Sequence, residues 1–130
     1  MKQIVKTSEK IMLEAKAYTG WNFVGAVKGS ASTMRADLAN EAGKKIKVIM
    51  EITGSDVLIQ VIGMDDSFDA GAVESVHEKL KFPVEAELKD GQFLIISYHE
   101  PLGVLEHSVK GVFKECIIPM VELMAGMLEE

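Results

Sequence analysis

The chain has 130 residues, 48% hydrophobic and 26% charged, and a formal net charge of −6. That length and balance fit one globular domain spanning 1–130, with a core of its own. The acidity, with Arg35 as the only arginine, argues against nucleic acid and anionic membrane surfaces, because phosphate recognition needs clustered Lys and Arg.

The first predicted helix covers Lys6 to Tyr18, with Thr7 or Ser8 as cap and Gly20 as its end. Ile4, Ile11, Ala15 and Tyr18 fall near one stripe of it. Trp21, Phe23 and Val27 then alternate as a strand. Lys28 to Thr33 is small and polar, a turn or a weak strand continuing to Leu38, and Asn40 to Lys44 reads as a turn. Ile46, Val48, Met50 and Ile52 share one face of the next strand. Gly54-Ser55 gives a Gly-X hairpin turn, and Val57, Ile59 and Val61 return on the same inner face. Leu58 and Ile62 sit outside, more apolar than a solvated face needs.

Asp65, Asp66 and Asp69 lead into a helix over Ala70 to Lys81, where acidic groups favour the N-terminal end of the dipole. Val73, Val76, His77 and Leu80 lie on one face of it, and Pro83 stops it. Asp90-Gly91 is a two-residue type I′ turn, which needs positive φ at both central positions. That turn places Leu88 opposite Phe93 and Ala86 opposite Ile95. Val84, Ala86 and Leu88 alternate with Glu85, Glu87 and Lys89. The partner strand is apolar on both sides, with Phe93 and Ile95 on one and Leu94, Ile96 and Tyr98 on the other. A strand apolar on both faces wants cover on both. The last helix, Leu102 to Leu128, carries a stripe from Leu105 to Met127, and Pro119 is expected to kink or split it. The sum is an α+β fold with an antiparallel sheet of five to six strands, in the order α-β-β-β-(β)-α-β-β-α.

Candidate chemistry is thin. His77, His99, His107 and Cys116 have none of the close spacings of paired metal ligands, so no metal or other cofactor is expected. His77 reads as a core or interface histidine. The three aspartates lack the glycine and distal Glu of a calcium loop. Cys116 has apolar helical neighbours, Val112, Phe113, Ile117 and Met120, and reads as an inert thiol. Glu85 and Glu87 read as a solvated strand face. Gly25 to Gly29 lacks phosphate-loop spacing. No catalytic residue is assigned. The N-terminus lacks an apolar leader core and no apolar run approaches the ~20 residues of a membrane span, so a cytoplasmic protein is expected.

Val73 to Phe82 ends in a Leu-x-Phe step, followed by the Lys89-Asp90-Gly91 hairpin, by Leu94 to Tyr98, and by an apolar helix with a late proline. This succession resembles the YbjN-like family within the type III secretion chaperone-like fold. The likeness covers roughly residues 69–125, and 8–62 by element order only. It implies an α+β domain that often dimerises and binds extended protein segments, without catalytic residues.

The expected function is therefore a non-enzymatic protein- or peptide-binding module, chaperone-like or regulatory, acting as a homodimer. Its contact residues are expected to be Leu58, Ile62, Leu94, Ile96 and Tyr98, with Met120, Met124 and Met127 from a methionine-rich helix second. The rival is a small-molecule sensor or carrier with a pocket between sheet and C-terminal helix, lined by Trp21, Tyr18 and His77. An enzyme ranks last, because the inner strand face is dry.

Overall fold

A computed structural model describes the backbone of residues 2–28 and 31–129, and the side chains of 6–25 and 31–129. The elements are α1 (Lys2–Thr19), β1 (Val24–Lys28), β2 (Ala31–Ala39), β3 (Lys45–Thr53), β4 (Asp56–Met64), α2 (Ala70–Lys79), β5 (Glu85–Lys89) and β6 (Phe93–Pro101). They end in α3 (Leu102–His107), α4 (Val109–Val112), a π-helical turn (Phe113–Ile117) and α5 (Ile118–Met127). All strands pair antiparallel in one six-stranded sheet, ordered β1-β2-β3-β4-β6-β5. The α+β class is as the sequence predicts, and the sheet has six strands, the upper of the five to six expected. The connection at Gly29-Ser30 and the side chains of Ile4 and Val27 lie outside the described residues.

The β3–β4 hairpin has the predicted register, with Ile52 opposite Val57, Met50 opposite Ile59 and Val48 opposite Val61. These six side chains are fully buried. They meet a helix layer in which α1 lies against β1 and β2, α5 against β3 and β4, and α2 against β5 and β6. Close approach is built in at two places. On α1, Ser8 Oγ meets Ser32 Oγ of β2 at 2.6 Å, both buried. On β4, Gly63 leaves room for α5: a Cβ there would stand 2.5 Å from Met124 Sδ. Trp21, Phe23 and Phe113 cluster with ring centroids 5.9–6.5 Å apart, which ties the α1–β1 connection to the last helical segments.

The β5–β6 hairpin departs from the expected register by one residue. Asp90 and Gly91 do take positive φ, 56° and 71°, and Gln92 N–H donates to Lys89 O at 3.2 Å. The strands then pair Lys89 with Phe93, Leu88 with Leu94 and Ala86 with Ile96. Gln92 is thus an extra residue on the β6 side, a bulge in effect. A one-residue slip exchanges the two faces of a strand. Leu94 and Ile96 are fully buried under the helices and Tyr98 turns the same way, while Phe93 and Ile95 face outward. The expected contact roles of Leu94, Ile96 and Tyr98 are corrected accordingly: the first two are core, and Tyr98 packs its ring edge-on against Phe82, centroids 5.3 Å apart.

The C-terminal helix is interrupted twice. At Ser108 (φ −151°, ψ 83°) the chain leaves helical geometry, and its side chain caps α4 by accepting from Gly111 N–H. The π-helical turn ends at Ile117, two residues before Pro119. Proline lacks the N–H for the bond back to Glu115 and crowds that carbonyl, and the wider turn relieves the clash. Met120 and Met124 are fully buried and Met127 half-buried. Met120 and Met124 therefore fill the core rather than offer a contact surface. No helix among the described residues is long and apolar enough to cross a membrane.

Candidate functional site

With helices on one side only, the other face of the sheet stands open, and no described element covers it. Antiparallel sheets tolerate this when the open face is polar. Here it is not polar throughout. Ile49, Leu58, Ile62, Phe93 and Ile95 form a half-buried band across β3, β4 and β6, extended by Met64, which is 53% exposed. Each stands at an outward parity position that the register fixes: Ile62 pairs with Ile95, Met64 with Phe93, and Leu58 with His99. Leu58 and Ile62 are thus where the sequence places them. Phe93 and Ile95 are the members that sequence reasoning assigned to the other face.

Charge flanks the band in a regular way. The row across β2, β3, β4, β6 and β5 reads Asp37, Lys47, Ile62, Ile95, Glu87. The next row reads Arg35, Ile49, Gln60, Ser97, Glu85, starting on β2. An open hollow of about 710 Å³ on the β2–β3 side includes Arg35, Asp37, Lys45, Lys47, Ile62 and Phe93 in its lining. A smaller one of about 250 Å³ on the β5 side is lined by Leu58, Gln60, Glu85, Glu87, Ile95 and His99, among others. The first hollow is mainly basic and the second mainly acidic. Arg35 and Asp37 approach at 3.7 Å while both stay exposed, a pair that contributes little. At the centre of the face, Gln60 Nε2 donates to Ser97 Oγ at 3.2 Å. Its polar atoms are thus partly satisfied sideways, which lowers the cost of covering them.

The predicted chemistry candidates are scattered. His77 is exposed on α2, not part of its buried stripe of Val76 and Leu80, which corrects the core reading. His99 lies on the open face, its Nδ1 3.0 Å from Asp56 Oδ2. Asp69 caps α2 by accepting from Gly71 N–H at 2.9 Å. Asp65 accepts from Ser67 N–H and Ser67 Oγ, and the backbone donor foremost holds its carboxyl below the ordinary range. Among the described residues, no three His, Cys, Asp or Glu come together as a metal-holding group.

One cluster escaped the sequence. Tyr98 and Glu100 share the inner face of β6. The Tyr98 hydroxyl donates to the buried Glu100 carboxylate, and the half-buried Cys116 thiol of the π-helical turn stands beside it. Burial, and then the bonds to Glu100 and Cys116, push the phenol far above its usual value. Burial also pushes the Cys116 thiol up. Both groups stay protonated near neutral pH, so neither is an activated nucleophile. Same-face parity of Tyr98 and Glu100 was the available signal, and the shifted register hid it.

The proposed pocket between sheet and C-terminal helix is filled by core side chains, with Met124 Sδ in van der Waals reach of Gly63. Trp21 packs in the aromatic cluster, and Tyr18 lies under Lys110 Nζ, 5.3 Å from the ring centroid. They do not converge with His77 on α2. No family model, curated protein or solved structure matches the chain.

Proposed function

We propose that this chain is a non-enzymatic protein-binding module acting through the open face of its sheet, in a cytoplasmic setting. One observation carries this: five half-buried apolar side chains and Met64 occupy a face that no described residue of the chain covers. Side chains of that kind form the desolvated centre of an interface, and the charges around them form its rim. The element order, helix, four strands, helix, hairpin and helices, supports the secretion-chaperone-like likeness. The neutral Tyr98 and Cys116 support a binding role over a catalytic one.

The face lends itself to a direct test. A photo-crosslinking amino acid at Gln60, in the middle of the band, is expected to give one discrete protein adduct in cells. The same group at Glu122, exposed on α5 on the opposite side, is expected to give none. Absence of an adduct from position 60, or equal labelling from both positions, would overturn the proposal.

A further inference from the structure

The two flanks of the open face differ in charge, and the difference bears on what covers it. From β3 to β5, the central row runs cation, apolar, apolar, anion: Lys47, Ile62, Ile95, Glu87. Inverting the row end for end reverses the charges and leaves the apolar centre in place. A two-fold axis along the strands, between β4 and β6, performs that inversion. It carries β3 over β5 and β4 over β6 of a second molecule. Lys47 then meets Glu87, Ile62 meets Ile95, and Met64 meets Phe93, each pair formed twice as an isologous contact requires. The mainly basic hollow of one molecule lies toward the mainly acidic hollow of the other.

We propose that the occupant of the open face is a second copy of this chain, packed face to face about such an axis. The proposal rests on the protein-binding role given above and names its partner. Four strands overlap about this axis, β3, β4, β6 and β5, and β1 and β2 extend beyond the partner's edge. With strands ~4.8 Å apart and nine, nine, nine and five residues rising ~3.3 Å each, the shared face is about 510 Å². Two such faces bury about 1,000 Å², the lower bound for a specific interface. Two sheets packed ~10 Å apart with strand directions within about 30° form an ordinary sandwich core. The same axis brings Lys45 toward Lys89 at the rim, the one like-charged pairing in register, and sets Ile49 against Glu85.

The test is sedimentation equilibrium at low salt. The wild-type protein is expected to reach twice its 14.2 kDa chain mass. Lys47→Glu and Glu87→Lys are each expected to weaken the dimer about ten-fold or more, since each reversal sets two like-charged pairs against each other. The double variant Lys47→Glu/Glu87→Lys is expected to regain the wild-type constant, and Lys89→Glu to tighten it. All three substituted side chains are exposed in the monomer, and circular dichroism checks the folding of the variants. A monomer at every concentration, or a dimer indifferent to the single reversals, would overturn the proposal. The mass of the Gln60 adduct separates the two levels. Twice the chain mass supports a second copy. Any other mass overturns the second copy but leaves the binding role standing, whereas no adduct overturns both.

Discussion

Ile95 and Ile96 are neighbours on β6, chemically identical, and opposite in environment. Ile96 is fully buried beneath the helices, and Ile95 is half-buried on the open face. Replacing each in turn by Asp tests the bulge at Gln92. Removing a buried Ile costs about 2–5 kcal/mol, and a carboxylate in its place adds several kcal/mol of desolvation. Ile96→Asp thus loses about 5 kcal/mol or more, most of the stability of a typical domain. For 130 residues the unfolding entropy is roughly 0.27 kcal/mol/K, so the melting temperature falls by about 18 °C or the fold is lost. Ile95→Asp gives up at most about 1 kcal/mol of partial burial, a fall below ~4 °C. The assay is thermal unfolding followed by circular dichroism, at a dilution where the wild type is monomeric, so that lost association adds nothing. Equal shifts, or a larger one for Ile95→Asp, would refute the register and the assignment of faces with it.

Three further outcomes follow from the packing and the titrating groups. Gly63→Ala places a methyl 2.5 Å from Met124 Sδ and 3.0 Å from its Cγ. Met124 is fully buried, so overpacking lowers stability by about 1–3 kcal/mol, and a melting temperature that holds or rises contradicts the seating of α5 on β4. The depressed carboxyl of Asp65 contributes stability that is present above its unfolded value of about 3.9 and is lost as pH falls through the lower folded value. Asp65→Ala is therefore less stable than wild type at pH 7 in urea titrations. The gap closes in acid below pH ~3.9, and a constant gap down to pH 2 speaks against it. The raised thiol of Cys116 predicts alkylation by iodoacetamide slower than for a free thiol at pH 7.5, with the rate rising only above pH ~8.5. A midpoint at or below that value would show an activated cysteine instead.

The inner face was legible because β3 and β4 alternate Ile, Val and Met with polar residues, and alternation fixes parity. It failed on β6, where Phe93 to Tyr98 is apolar at nearly every position. Parity there depends on the turn, and Asp90-Gly91 announces positive φ without announcing that Gln92 adds a residue. The inner positions of β2 are Ser32, Met34 and Ala36, and small side chains give a weak hydrophobic signal even when buried. Pro119 marked the strained helix correctly. The break at Ser108 was hidden because the apolar stripe continues through it from Leu105 to Val109. Of the candidate site, Leu58 and Ile62 could be read directly. Phe93 and Ile95 needed the register, and the charge pattern across the strands needed the strand order β4-β6-β5.

Ile95→Asp in sedimentation equilibrium probes the role of the open face most directly. The variant is expected to be a folded monomer: circular dichroism like that of the wild type, with the dimer lost across the micromolar range. A variant that folds and still associates with the wild-type constant would contradict that role.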